Sequence, residues 1–399
     1  MKQQSKNISV RSRCCCGAII CSTLIILLIV ATGCYFIASH IIPIPIHSIN
    51  VPLYSAKPSA RNLDIEIGPH IAGKIKVLVT ESDKITVQLN YHLLKEDGNT
   101  LAISEPLNND QQYSFKFGFK ENAYNKPPLP PVKNNNCLDQ STMSDCVAKC
   151  YAFGFCHEVI AFLEVKVPPT LNSINIRGFL SNIEVSSYEY DGPFTLLNKF
   201  IVNVESANIL LQSELVANSQ FDVTTFSGNI DASSVNLQSK AIIQAQSGNI
   251  NIKNLTHNKE AILLASDNGN MNIVDSIFSG NSTTLKTSSG GITSSNCKIS
   301  NSVKVEVSNG DLVFNNLFFN TTANQNTELS VSTNSGNVFF DVKNFFGKYN
   351  IKTLTGNKIA QGNFSPASNN DSGEVNTKNL KNENIDIKTD TGNVELLSN

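Results

Sequence analysis

The chain has 399 residues, 41% of them hydrophobic, with a formal net charge of −2, ten cysteines, six histidines and no tryptophan. That length suits one large domain or two modest ones. The near-neutral balance excludes the basic face of a nucleic-acid binder.

The first element is apolar. Gly17 to Ala38, "GAIICSTLIILLIVATGCYFIA", is 22 residues without a charge. At about 1.5 Å per residue, a helix of that length spans a hydrocarbon layer of roughly 30 Å. Lys2, Lys6, Arg11 and Arg13 precede it, and the next charged side chain is Lys57. This asymmetry predicts a cytoplasmic tail over 1–16, a transmembrane helix over 17–39, and everything beyond it outside or lumenal. The expected location is the plasma membrane or another secretory-pathway membrane. A cleaved signal peptide is the competing reading, with small residues at Ala31 and Gly33 and a lipoprotein-like Cys34. Cys14, Cys15 and Cys16 beside Arg13 suit S-acylation, or simply open the helix as small apolar residues. Residues 40–60 then read as a Pro-containing stalk.

Residues 61–162 form a less regular β region. "NLDIEIG", "GKIKVLVTE" and "DKITVQLNY" alternate apolar and polar residues and predict three strands, which either open the following repeat or cap it. An insert follows at about 120–158. Its "PPLPP" is a stiff spacer or a ligand for a proline-reading domain. Its Cys137, Cys146, Cys150 and Cys156 lie within 20 residues. In an exported chain these predict two disulfides with three connectivities, and a zinc site is the rival. Cys297 is left over, as a buried apolar side chain.

From 163 onward the chain repeats itself. Gly228, Gly248, Gly269, Gly290, Gly310, Gly336, Gly356 and Gly392 follow one another at steps of 20, 21, 21, 20, 26, 20 and 36 residues. Five residues before each glycine stands an aliphatic residue: Val223, Ile243, Leu264, Leu285, Val305, Val331, Ile351 or Ile387. Two residues after it comes Ile230, Ile250, Met271, Ile292, Leu312, Val338 or Val394, and only Lys358 breaks this rule. The residue directly after each glycine is Asn, Asp or Gly. Alternation around a turn that wants positive φ describes two short strands with one buried face. A period near 20 predicts stacked coils whose Val/Ile rows merge into one core. A meander of β-hairpins is the alternative, because Asn-Gly and Gly-Asn are hairpin pairs too. The long steps of 26 and 36 read as loops inserted into coils, the second over residues 361–384.

"LEVKVPPTLNSINIRGFLSNIEVSS", residues 163–187, followed by the Ser-Gly-Asn-Ile copies, resembles the adhesin family of β-solenoid repeat domains found on bacterial and fungal surfaces. The resemblance implies an all-β, parallel β-helix-like fold over 163–399 and a surface or adhesive role. It carries no catalytic residue. The membrane anchor and the cysteine-bearing insert are additions to its pattern.

No catalytic motif is complete. "CHEVIAF" has Ala161 where a zinc-protease helix needs its second His. Asp222, Asp231 and Asp311 fall in different phases of the repeat. The sequence therefore predicts a non-catalytic surface protein without cofactor or metal, whose partners are cell-wall or matrix polymer or a surface protein, and not nucleic acid. A receptor that binds through the insert is the second reading, and a β-helix polysaccharide enzyme is the third. Sequons at Asn254, Asn281, Asn320, Asn363 and Asn370 are glycosylation candidates in a eukaryotic host.

Overall fold

The computed structural model describes residues 47–57, 59–93, 101–108, 111–119, 159–187, 190–320, 326–362, 372–374 and 383–398. They belong to one compact unit. The expected tail and membrane helix (1–16 and 17–39) lie outside the described residues, as do Cys14–Cys16 and the four insert cysteines. Among the described residues every regular element is a strand, and no helix is long and apolar enough to cross a membrane.

The Gly228 coil shows how the repeat folds. Gln220–Ser227 forms the first side and the chain turns at Gly228; Ile230–Ser233 forms the second side and the chain turns at Ser234; Val235–Leu237 forms the third. Alternate residues point inward, so Phe221, Val223, Ile230, Val235 and Leu237 are buried. The next coil repeats the path one level along: Val223 pairs with Ile243, Ile230 with Ile250 and Asn236 with Thr256, all in parallel. Three parallel ladders thus close around one core. Hairpins would pair antiparallel, so the hairpin alternative does not apply here. Aromatic columns run between levels: Phe200 stacks on Phe221 at 5.1 Å and Phe314 on Phe340 at 4.6 Å.

At one end, Asn62–Val79 joins the same ladders. It pairs in parallel with Thr170–Ser187, with Gln112–Phe119 and with Val159–Val167. Antiparallel strands then close that end: Thr86–Leu93 lies on Val159–Val167, His47–Asn50 on Thr86–Leu93, and Leu101–Asn108 on Gln112–Phe119. The N-terminal strands therefore both open the stack and cap it.

The other end departs from sequence order. Thr327–Ser335 pairs with Glu383–Thr391, and Glu383–Thr391 pairs in turn with Lys348–Thr355. On the second side, Val338–Lys343 pairs with Val394–Ser398, which pairs with Lys358–Gly362. The Gly392 coil is thus inserted between the Gly336 and Gly356 coils. The step of 36 is consequently not a loop within one coil. It takes the chain from the outermost coil back to the level beneath. Ser372–Glu374 lies antiparallel on part of that outermost coil, against Lys348–Asn350. The step of 26 does add residues within a coil, between Phe319 and Thr327.

Candidate functional surface

The surface is built on three corners, and the first is the glycine corner. Seven of the eight repeat glycines have φ between 133° and 156°, a region that excludes a side chain. Gly269 does not share it, so positive φ is not the common requirement. Close approach is: a Cβ on Gly269 would sit 2.0 Å from the carbonyl oxygen of Gly248, and one on Gly290 would sit 2.2 Å from that of Gly269. Seven of the eight lie against the glycine one level away, and Gly228 lies against Ala207.

The residue after each glycine has a role beyond turn geometry. Asn229 Oδ1 accepts the backbone N–H of Asn249 at 2.9 Å, Asn249 Oδ1 accepts that of Asn270 at 2.9 Å, and Asn270 Oδ1 accepts that of Gly291 at 2.9 Å. Gly291 has no side chain to continue the series, and Asp311 resumes it toward Asn337. The series then runs from Asn337 to Asn393 to Asn357, at 3.2 and 3.0 Å, in the spatial order of the coils.

A second corner was not read from the sequence. Ser234, Asn254, Asp275, Asn296, Asn316 and Asn344 all have φ between 52° and 58°. Five of the six are Asn or Asp, which tolerate the left-handed region. Five of the six positions stand six residues after a repeat glycine, at the same steps of 20 and 21, which was the available signal. Their side chains also link levels: Asn296 Nδ2 donates to Asp275 Oδ1 at 3.0 Å and Asn316 Nδ2 to Asn296 Oδ1 at 3.1 Å.

The outward positions between corners mix polar side chains such as Thr224, Gln244, Asn251 and Ser330 with part-exposed apolar ones such as Ile242, Leu263, Val313 and Phe339. Charge is sparse and self-compensating on the first side, where Glu306 lies 3.9 Å from Lys286 and also pairs with Lys304. The candidate acids stay apart. Asp222 lies on the first side, with Gln220 donating to it; Asp231 lies on the second, accepting from Asn251 at 2.6 Å; Asp311 caps the glycine corner. Among the described residues no three His, Cys, Asp or Glu side chains are placed to hold a metal ion. Phe226 and Leu354, both two residues before a repeat glycine, are 56% and 81% exposed at the glycine corner.

Three sequons can be placed. Asn254 is exposed at the second corner, and Asn281 and Asn320 are exposed at the third, where the short strands lead back to the first side. Asn363 and Asn370 lie outside the described residues. Cys297 is a free thiol buried in the core, and burial raises its pKa. Its Sγ lies 3.7 Å from the Ile273 carbonyl oxygen, in the packing role expected for it.

Among the described residues, the interior also buries a histidine. His257 occupies the inward column between Leu237 and Phe278 and is fully buried. Neither ring nitrogen has a well-formed hydrogen bond, and burial lowers its pKa, which the neighbouring Glu260 carbonyl offsets only in part.

A family model described as Toastrack DUF4097 matches residues 59–363. Two solved structures share features of the chain. One, from Bacteroides fragilis and described as "a putative adhesin", is 13% identical with a TM-score of 0.34, over 74% of this chain and 96% of that one. The other, from Clostridium sporogenes and described as "a putative cell adhesion protein", is 10% identical with a TM-score of 0.18, over 88% of this chain and all of that one. No curated protein matches the sequence.

Proposed function

The chain belongs to the Toastrack DUF4097 family, and on that premise we propose that it is a single-pass, membrane-anchored surface protein. It presents a non-catalytic β-solenoid for adhesion or mechanical support. The observation that carries this reading is the 22-residue uncharged run over Gly17–Ala38, with all four preceding charges basic. The stack supports it from the other side. Its coils stabilise one another through neighbour contacts, and its glycine and second corners repeat amide side chains from level to level at the strand spacing of about 4.8 Å. Such a surface suits a repetitive polymer of the cell wall or matrix, or the face of another surface protein. The two solved structures are named as adhesion proteins, but at their TM-scores the proposal does not rest on them.

Residues 1–16 then face the cytoplasm, Cys14–Cys16 are available for acylation, and Cys137, Cys146, Cys150 and Cys156 pair in an oxidising compartment. The chain is proposed to need no cofactor or metal and to contact no nucleic acid. The receptor reading keeps one specific support, the cysteine-bearing insert.

Binding of the surface-displayed chain to whole cells and wall polymer distinguishes these readings. The adhesion reading expects binding to fall in steps when outward Ser, Thr and Asn residues of successive coils are changed to Glu. Loss of binding on deletion of residues 120–158 alone would replace it with the receptor reading. Polymer turnover abolished by a single Asp→Asn change would replace it with an enzyme.

A further inference from the structure

The last coil is joined to its neighbours differently from the coils of the sequential stretch. Along the sequential part of the stack, taking out a coil would cut the chain between the coils on either side. The coil of Glu383–Thr391 and Val394–Ser398 lacks this property. One wall beside it is Thr327–Ser335 with Val338–Lys343, and the other is Lys348–Thr355 with Lys358–Gly362. These walls are connected directly through residues 344–347, so the inserted coil can leave without cutting either.

We propose that the space between these walls is a binding slot for an extended segment with the 383–398 pattern. A second copy of this chain supplies that segment, giving a dimer with exchanged coils. Recognition is local to slot and segment. Ile385 and Ile387 pair with Leu329 and Val331 on one wall and with Tyr349 and Ile351 on the other, all buried. Asn393 donates its backbone N–H to Asn337 Oδ1 and accepts the Asn357 N–H on its own Oδ1. A Cβ on Gly392 would sit 2.0 Å from the Gly336 carbonyl oxygen, and one on Gly356 2.0 Å from that of Gly392, so the slot requires glycine at this position.

Glu383 fixes the entrance. It is 1% exposed, and its Oε2 accepts the Phe346 backbone N–H at 2.6 Å, inside the connecting turn. A Cβ on Gly347 would lie 2.0 Å from the Glu383 carbonyl oxygen, so that turn has room for the segment because residue 347 is glycine. Only this slot contains the 344–347 crossing, so Glu383 marks the segment for it. None of these contacts depends on which copy the segment comes from, the condition under which an element exchanges between identical chains.

The test uses full-length chains and is independent of the surface role. Ser332 and Lys388 are exposed register partners across the slot. An isotopically heavy copy with Ser332→Cys and a light copy with Lys388→Cys are refolded together over a range of concentrations. They are treated with a short bismaleimide and read by mass spectrometry for the linked 332–388 peptide pair. A single chain carrying both substitutions serves as reference. The proposal expects the link in the reference, and a heavy–light link whose share rises with concentration. A link in the reference with no heavy–light link at any concentration overturns exchange. Absence of the link from the reference overturns the slot itself.

Discussion

Replacing Gly290 with alanine tests the close packing of the glycine corner. The new Cβ would stand 2.2 Å from the carbonyl oxygen of Gly269 and 2.6 Å from its carbon. Relief needs a local separation of about 1 Å in a ladder whose strands lie about 4.8 Å apart. The hydrogen bonds spanning this corner are Gly269 N–H to Ser289 O at 2.9 Å, Gly290 N–H to Asn309 O at 3.0 Å and Met271 N–H to Gly291 O at 3.0 Å. Losing two of them costs about 2 kcal/mol. Holding alanine at φ 139° adds about 1–3 kcal/mol. The expected loss is therefore about 3–5 kcal/mol, a large share of a stability that is typically about 5–15 kcal/mol. Denaturant titration followed by circular dichroism measures it, with Ser289→Ala as the exposed neighbour expected to stay within about 0.5 kcal/mol. Gly269→Ala meets the same clash without the positive φ and should lose less by the conformational share. A loss below about 1 kcal/mol for Gly290→Ala would refute the corner as an obligatory close contact.

Three further outcomes are expected. His257→Leu should raise stability by about 1 kcal/mol at neutral pH, since it removes buried ring nitrogens without well-formed partners and keeps the column apolar. Its pKa is lowered in the folded chain, so the unfolded chain takes the proton first as pH falls. The parent should therefore hold its stability above about pH 6.5 and lose it below, and the variant should lack that slope in melts run from pH 8 to pH 5. Asn249→Ala removes one link of the amide series and should lower stability by about 0.5–1.5 kcal/mol in a denaturant titration, with no change in m-value. Asn254→Gln, Asn281→Gln and Asn320→Gln should each remove one glycosidase-sensitive step in gel mobility when the chain is made in a glycosylating secretory pathway. Unchanged mobility would mean these exposed sequons are not used.

Much of this fold is written in the spacing of a few residues. The aliphatic residues five before and two after each glycine are the buried columns of the first and second sides, because a coil has no other core to offer. Coil order beyond Gly336 was harder to read. Every coil presents the same glycine, amide and aliphatic row, so periodicity does not distinguish a neighbour in sequence from one inserted later. The exception to the rule was the clue. Lys358 stands where other coils place an apolar residue, and it lies on the second side of the outermost coil, which carries no further strand among the described residues. The second corner was missed because its identities vary among Ser, Asn and Asp, although its step is that of the glycines. The amide series was visible as Asn after Gly, but its reach into the next level depends on register, which only the folded ladder supplies.

The proposed topology sets the stack outside a membrane crossed once by residues 17–39. Intact cells producing the full-length chain would be probed with an antibody raised against folded residues 190–320, before and after permeabilisation, with membrane extraction in parallel. That topology predicts equal labelling in both states and a chain released only by detergent. Labelling that appears only after permeabilisation would contradict the export of the stack, and release by salt or alkaline carbonate would contradict the anchor.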